Sequence, residues 1–213
     1  MSGKNHPKIL IITTPIRPIP EKFPPLGSLS IITSLNKAGY QNVEFYNIDY
    51  LRPEYVDVIA HIKERKPDIL GISAVVSTAY AYTKDLSLDI KNELPNTTII
   101  LGGNLGASAE IILKKTGVDF VCTGEGEVTI LDFVSCWMSA QSKDDFEQVK
   151  GIAYLDNAKN LVITPFPEPI KADQVYDVDW SILDELGHTD FFFPKLHDFQ
   201  QNLNFLIQFV LFL

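Results

Sequence analysis

Residues 99–113 read IILGGNLGASAEIIL, and this stretch decides the fold class. It begins with an apolar, β-branched run, the pattern of a strand buried on both faces of a parallel sheet. Gly102 and Gly103 end that run, and a short polar loop then leads into apolar residues at helical spacing. Free N–H groups at the helix start can cradle a polar group of a ligand, although the glycines can equally serve only a tight turn.

The same strand–helix unit recurs along the chain. Strands are predicted at 8–14, 43–48, 68–74, 97–101 and 118–122, and helices at 26–38, 54–66, 79–94, 107–115 and 128–138. Five alternations with short connections predict an α/β fold, a flavodoxin-like (Rossmann-type) five-stranded parallel sheet with helices on both faces. We expect one α/β domain over residues 1–145.

The pattern changes after the fifth helix. Two short strands, at 151–155 and 161–164, flank the turn sequence DNAKN and predict a β-hairpin extension over residues 146–170. Residues 171–213 are expected to be a linker, with a helical turn around Trp180, and the truncated start of a further domain. The last eleven residues are apolar but too few to cross a bilayer.

The bulk composition excludes several classes of protein. The 213 residues carry 18 basic and 27 acidic side chains, a net charge of −9, and no basic run. Binding to nucleic acid or to an anionic membrane requires clustered lysine and arginine, so neither partner is expected. The N-terminal apolar run is a first strand and not a signal peptide, so we expect a cytoplasmic protein.

Residues that could carry out catalysis or bind a metal are scattered. Cys122 and Cys136 fit no common metal motif, and the chain has no Cys-x-x-x-Cys-x-x-Cys cluster sequence. The four histidines lie far apart, and there is no phosphate-binding Gly-x-x-x-x-Gly-Lys-Ser/Thr loop. We therefore predict no catalytic residue and no metal ligand, and we expect this chain alone to be without enzymatic activity.

Three strand ends carry candidate ligand-binding residues. Ligands of open α/β sheets bind outside the carboxyl ends of the strands, where Gly102 and Gly103 leave a backbone without side chains. Ser73 ends the third predicted strand, where its hydroxyl either contacts a ligand or caps a helix. Gly124 and Gly126 allow close approach after the fifth strand, and Glu125 can accept a hydrogen bond from a ligand amide.

In this order, these pieces resemble the N-terminal cobalamin-binding domain of B12-dependent radical SAM proteins. The resemblance rests on KILIITTP, PPLGSLSIITSLNKAGY, PDILGIS, TTIILGGNLGASAEIIL, VDFVCTGEGEVTILDFV and GIAYLDNAKNLVITP, and it covers residues 8–186. It implies that the nucleotide tail lies by the third and fourth strands, the corrin edge by the fifth and the lower face of the cobalt by the first. The implied cofactor-binding residues are Thr14, Pro15, Ser73, Ala74, Val75, Gly102, Gly103, Gly124, Glu125 and Gly126.

The chain departs from the family pattern in two places. Many cobalamin domains carry Asp-x-His-x-x-Gly after the first strand, but residues 13–20 read TTPIRPIP. The resemblance therefore implies base-off cobalamin with no histidine ligand from the protein. The chain also ends where the family's catalytic barrel should begin. S-adenosylmethionine and the [4Fe-4S] cluster are accordingly expected only in that missing domain, a radical SAM barrel supplied in cis or in trans, which in the full-length protein would carry out methyl transfer.

Two alternatives remain open from the sequence. The same sheet could hold a flavin or a nucleotide, although prolines replace the glycine loop that usually binds phosphate after the first strand. The domain could also be a non-binding module that only docks a barrel.

Overall fold

Seven strands form one open sheet in the computed structural model, which describes residues 6–169 and 178–194. The strands are β1 (Ile9–Thr13), β2 (Val43–Tyr46), β3 (Ile69–Ser73), β4 (Thr98–Gly102), β5 (Phe120–Cys122), β6 (Ile152–Leu155) and β7 (Leu161–Ile163). Their order is β2-β1-β3-β4-β5-β6-β7. Neighbours among β1 to β5 pair in parallel, whereas the β5–β6 and β6–β7 pairs are antiparallel. The order 2-1-3-4-5 of the parallel part is that of flavodoxin-like doubly wound sheets.

The sheet is larger than the five strands predicted. β6 pairs antiparallel with β5, with Val121 opposite Ala153, so residues 152–163 extend the main sheet. Ala153 and Tyr154 are fully buried, because this edge of the sheet is part of the core. β5 has only three residues and would otherwise present unpaired backbone groups at the sheet edge. The predicted boundary at residue 145 stays a prediction.

Eight helices lie among the described residues. They are α1 (Leu26–Lys37), α2 (Ile48–Leu51), α3 (Tyr55–Arg65), α4 (Tyr80–Glu93), α5 (Ala109–Lys115), α6 (Gly126–Ser139), α7 (Ser181–Glu185) and α8 (Thr189–Phe192). The five predicted helices correspond to α1, α3, α4, α5 and α6. Short 3-10 turns, Ser77–Ala79 and Asn104–Ser108, precede α4 and α5, while the four-residue α2 was not predicted. None of the helices in the described ranges combines the length and apolar character that a membrane crossing requires.

The helices cover both faces of the sheet. Leu10 belongs to a buried cluster with Val58 of α3 and Leu86 of α4. On the other face Phe120 contacts Phe133 of α6, with ring centroids 5.0 Å apart. Alternate strand residues point to opposite faces, so the apolar strands supply both layers of the core. The predicted α/β architecture is confirmed.

The described residues divide into two compact units. The first contains the sheet and α1 to α6. The second contains α7 and α8, in which Trp180 packs edge-on against Phe193 with centroids 5.3 Å apart. The apolar residues 203–213 lie outside the described residues.

Candidate functional site at the carboxyl edge of the sheet

The ends of three parallel strands lie side by side. Thr13 is in register with Ser73, and Ser73 is in register with Gly102. The chain leaves β1 for β2 on one side and returns to β3 on the other, so the order of strands switches beside β1. Ligands of open α/β sheets bind at such a switch point, outside the carboxyl ends of the strands. The tertiary structure thus brings the predicted residues of β1, β3 and β4 to one edge of the sheet, with those after β5 next along the same edge.

Two of the predicted residues hold neighbouring strands together. Thr14 is buried, and its N–H and hydroxyl groups both donate to the Ser73 carbonyl at 3.2 Å. Ala74 is fully buried and donates its N–H to the Gly102 carbonyl at 3.0 Å. Pro15 and Ser73 are half-buried, while Val75 is exposed. Pro15, Ser73 and Val75 therefore reach the protein surface at this edge, and Thr14 and Ala74 are buried beneath it.

Gly102, the last residue of β4, and Gly103, which follows it, differ in the space around them. A Cβ atom at Gly102 would meet no atom within 4 Å, whereas one at Gly103 would lie 2.6 Å from the Ala74 carbonyl oxygen. Gly103 also has a φ of +90°, which side chains rarely adopt. The fold itself thus requires glycine at 103. At 102 the missing side chain leaves open space at the carboxyl edge, as a ligand lying against the backbone would need.

Neighbouring side chains leave no room for a side chain at either glycine after β5. A Cβ at Gly124 would lie 2.7 Å from Pro167 Cδ, and one at Gly126 would lie 2.8 Å from Ile31 Cδ1. Glu125 is exposed and precedes the first residue of α6. Gly126 allows α6 to begin close to α1, so packing already accounts for both glycines. Their contact with a ligand stays a prediction.

Thr123 is a residue that the sequence analysis did not select. It follows β5 directly, and its hydroxyl is buried without a hydrogen-bond partner among the described residues. Buried polar groups are normally paired, so an unpaired hydroxyl at a ligand-binding edge is a candidate contact for a polar ligand group. The sequence alone could not identify it, because a threonine after a strand is common and its partners depend on the tertiary structure.

Three exposed apolar side chains follow parallel strands at this edge of the sheet. Ile19, Val75 and Val128 follow β1, β3 and β5, and their side chains are 72%, 43% and 37% exposed. The same edge carries the open backbone position at Gly102 and, among the described residues, the unpaired hydroxyl of Thr123. Among the described residues, no cluster of His, Cys, Asp or Glu side chains is arranged to hold a metal ion.

Comparison with known proteins decides the family. The profile of the B12 binding domain matches residues 12–134, which include the end of β1 and all of β2 to β5. The chain belongs to the B12-binding domain family. This confirms the resemblance drawn from the sequence.

Relatives of this B12-binding domain are longer proteins. It is 29% identical over 168 residues to the anaerobic magnesium-protoporphyrin IX monomethyl ester cyclase of Synechocystis, covering 77% of the chain and 32% of the cyclase. It is 28% identical over 186 residues to an uncharacterized methyltransferase of Pyrococcus horikoshii, covering 83% of the chain and 39% of that protein. The chain therefore spans well under half the length of these curated relatives.

Solved structures share the fold of this B12-binding domain. The cobalamin-dependent S-adenosylmethionine radical enzyme OxsB superposes with a TM-score of 0.69 at 20% identity, covering 86% of this chain and 25% of OxsB. The radical S-adenosylmethionine methyltransferase TsrM from Kitasatospora setae superposes with a TM-score of 0.61 at 13% identity, covering 78% and 30%.

The thiol at the end of β5 offers a chemical test of the crevice. Burial raises the pKa of Cys122, and its Sγ lies 3.6 Å from the Gly124 carbonyl oxygen. Thiolate is the reactive form, so we expect iodoacetamide at pH 7 to alkylate Cys122 about tenfold more slowly than a free cysteine. Mass spectrometry of quenched samples measures the rate. Alkylation of Cys122 at the rate of free cysteine would contradict the half-buried placement of its thiol.

Proposed function

We propose that this B12-binding domain holds cobalamin at the carboxyl edge of its sheet. The observation that carries the proposal is the open space beside the Gly102 backbone, which lies in register with Ser73. The chain belongs to the B12-binding family, so a cofactor is expected at this edge. Ser73, Val75 and Gly103 would flank the nucleotide tail together with Gly102. Thr123 and Gly124–Gly126 would border the corrin, and Thr14 and Pro15 would lie near its lower face.

The cobalamin is proposed to be base-off, without a histidine from the protein. Residues 15–21 contain no histidine, and the prolines at 15, 18 and 20 also lack an N–H group. When bound, cobalamin supplies cobalt–carbon chemistry, while the protein contributes binding and orientation. We expect electron paramagnetic resonance of the bound Co(II) form to show no hyperfine splitting from an axial nitrogen.

The domain is further proposed to work beside a radical SAM barrel, in cis or in trans. The shared fold with OxsB and TsrM and the small share of each relative that the chain covers support this arrangement. S-adenosylmethionine and a [4Fe-4S] cluster would then be bound by the barrel, and methyl transfer is the proposed reaction class. The two relatives carry different names, a cyclase and a methyltransferase, so no substrate is carried over from either.

Reconstitution tests the binding proposal. Purified protein is mixed with hydroxocobalamin, desalted and examined by absorption spectroscopy, with flavin mononucleotide as a parallel sample. We expect about one corrinoid per chain and no retained flavin. Retained flavin without corrinoid would favour a flavin domain, and retention of neither would favour a module that only docks another domain.

A further inference from the structure

The connection from β1 to α1 begins with a loop that is held by hydrogen bonds to residues elsewhere in the chain. Residues 15–21, here called the proline loop, read PIRPIPE and form no helix or strand. The loop starts at the end of β1, beside the switch point of the sheet. Its polar backbone groups need partners, because buried or half-buried peptide groups without hydrogen bonds are costly.

Asp49 supplies two of those partners. Its carboxylate accepts the N–H of Ile16 at Oδ1, 2.9 Å away, and the N–H of Glu21 at Oδ2, 3.0 Å away. Asp49 is 6% exposed and donates its own N–H to the Thr13 hydroxyl at 3.0 Å. One buried carboxylate at the start of α2 therefore joins both ends of the proline loop to the end of β1.

Arg52 supplies the complementary donors. Its Nη1 donates to the Arg17 carbonyl at 2.6 Å, and its Nη2 donates to the Ile19 carbonyl at 2.8 Å. Nη2 also lies 2.7 Å from Asp49 Oδ1, which completes an ion pair with hydrogen-bonding geometry. The planar guanidinium can make these bonds at the same time, whereas a lysine ammonium does not have several N–H donors fixed in one plane. Arg52 and Asp49 together are called the loop clamp below.

The loop clamp determines which backbone groups of the proline loop are already paired within the protein and which side chains are exposed to solvent. The carbonyls of Arg17 and Ile19 are bonded to Arg52, and the Ile16 carbonyl accepts from the Thr78 hydroxyl at 3.4 Å. With these backbone groups paired inside the protein, the exposed part of the loop includes the apolar side chain of Ile19. At the end of β1 the loop therefore exposes the apolar side chain of Ile19 beside the Arg17 side chain, which pairs with Glu21 at 2.8 Å.

We infer that Asp49 and Arg52 are positioning residues for the corrinoid, holding the proline loop as a preformed wall of the binding crevice. The inference rests on the proposed function. A wall already ordered in the free protein lowers the conformational entropy lost on binding, so it strengthens affinity without contacting the ligand. An unclamped loop would be ordered only when the corrinoid binds.

The test replaces Arg52 by Met in the full chain. Methionine keeps an unbranched side chain at this left-handed position, where φ is +49°, but it removes the guanidinium bonds to the Arg17 and Ile19 carbonyls and to Asp49. The hydrogen bonds that Asp49 accepts from the loop are left in place. Affinity for hydroxocobalamin is measured by equilibrium dialysis. Hydrogen exchange of the Ile16 and Glu21 amides, which donate to Asp49, is measured with and without corrinoid. We expect about tenfold weaker binding, with rapid exchange in the free variant and protection regained on binding. In the free wild type these amides should already be protected.

Arg65→Met is the matched control. Arg65 ends α3 and pairs with Glu44 at 3.0 Å, so the same chemical change is made away from the proline loop. Arg52→Lys should recover only part of the affinity, since an ammonium cannot bridge two carbonyls and a carboxylate in the same plane. Wild-type affinity in Arg52→Met, or an unprotected loop in free wild type, would overturn the inference. Failure of wild type to bind corrinoid would instead overturn the proposed function, while its loop exchange would still show whether the clamp exists.

Discussion

Replacing Gly102 by Phe is expected to abolish corrinoid retention while leaving the fold intact. A Cβ atom at position 102 would meet nothing within 4 Å, so the protein has room for the first atom of a side chain there. The ring would extend into the space beside Ser73 that the proposal assigns to the cofactor's tail. We expect at least a hundredfold loss of affinity for hydroxocobalamin, since a bulky group in a binding slot excludes the ligand sterically.

Asn96→Phe is the control for this variant. Asn96 is exposed and precedes the amino end of β4, so the same aromatic ring is added at the opposite end of the strand. Circular dichroism and thermal unfolding check that both variants fold, and equilibrium dialysis measures binding. Gly102→Ala should give an intermediate affinity. If Gly102→Phe retained corrinoid as wild type does, the corrinoid would not bind in the space beside Gly102 and Ser73.

Replacing Gly103 by Ala is expected to lower the free energy of unfolding by roughly 3 kcal/mol. Two costs combine at this position. The backbone φ of +90° is unfavourable for any residue with a side chain, and the new Cβ would lie 2.6 Å from the Ala74 oxygen and 2.9 Å from the Ala74 carbonyl carbon. Relief would require the backbone to move, although Ala74 O also accepts the Leu105 N–H at 3.1 Å.

Urea denaturation followed by circular dichroism measures this change. Gly102→Ala is the natural reference, because it adds the same methyl group one residue earlier, where the structure leaves space. We expect its midpoint to stay close to that of wild type. Equal midpoints for the two alanine variants would show that the left-handed conformation and close contact at Gly103 are not present in solution.

Much of the fold could be predicted from local sequence. The run at 8–14 is apolar at nearly every position, and the structure buries Ile9–Thr13 completely, as expected for a central parallel strand. The helix stops at Gly39 and Pro67 were equally readable. The extension of the sheet by β6 and β7 could not be predicted, because an antiparallel pair can stand alone or join either edge of the sheet. Only pairing with β5 selects between these arrangements.

The candidate site was predictable only in outline. The sequence shows the glycine pair at 102 and 103, but it does not show that only Gly103 has a backbone conformation and a close contact that require glycine. The unpaired hydroxyl of Thr123 and the hydrogen bonds of the loop clamp could not be predicted from the sequence. Asp49 contacts the loop residue Ile16 across 33 positions of the chain, and no local pattern indicates such a bond.

By itself, the sequence determined the alternation of strands and helices, the membership in the B12-binding family and the absence of a histidine in the proline loop. Those properties depend on residue type and on spacing along the chain. The tertiary structure alone decided that Thr13, Ser73 and Gly102 lie in register, that Gly102 faces open space while Gly103 touches Ala74, and that Asp49 and Arg52 hold the loop. Register and close contact arise between distant segments, where burial and hydrogen bonding select one pairing among many.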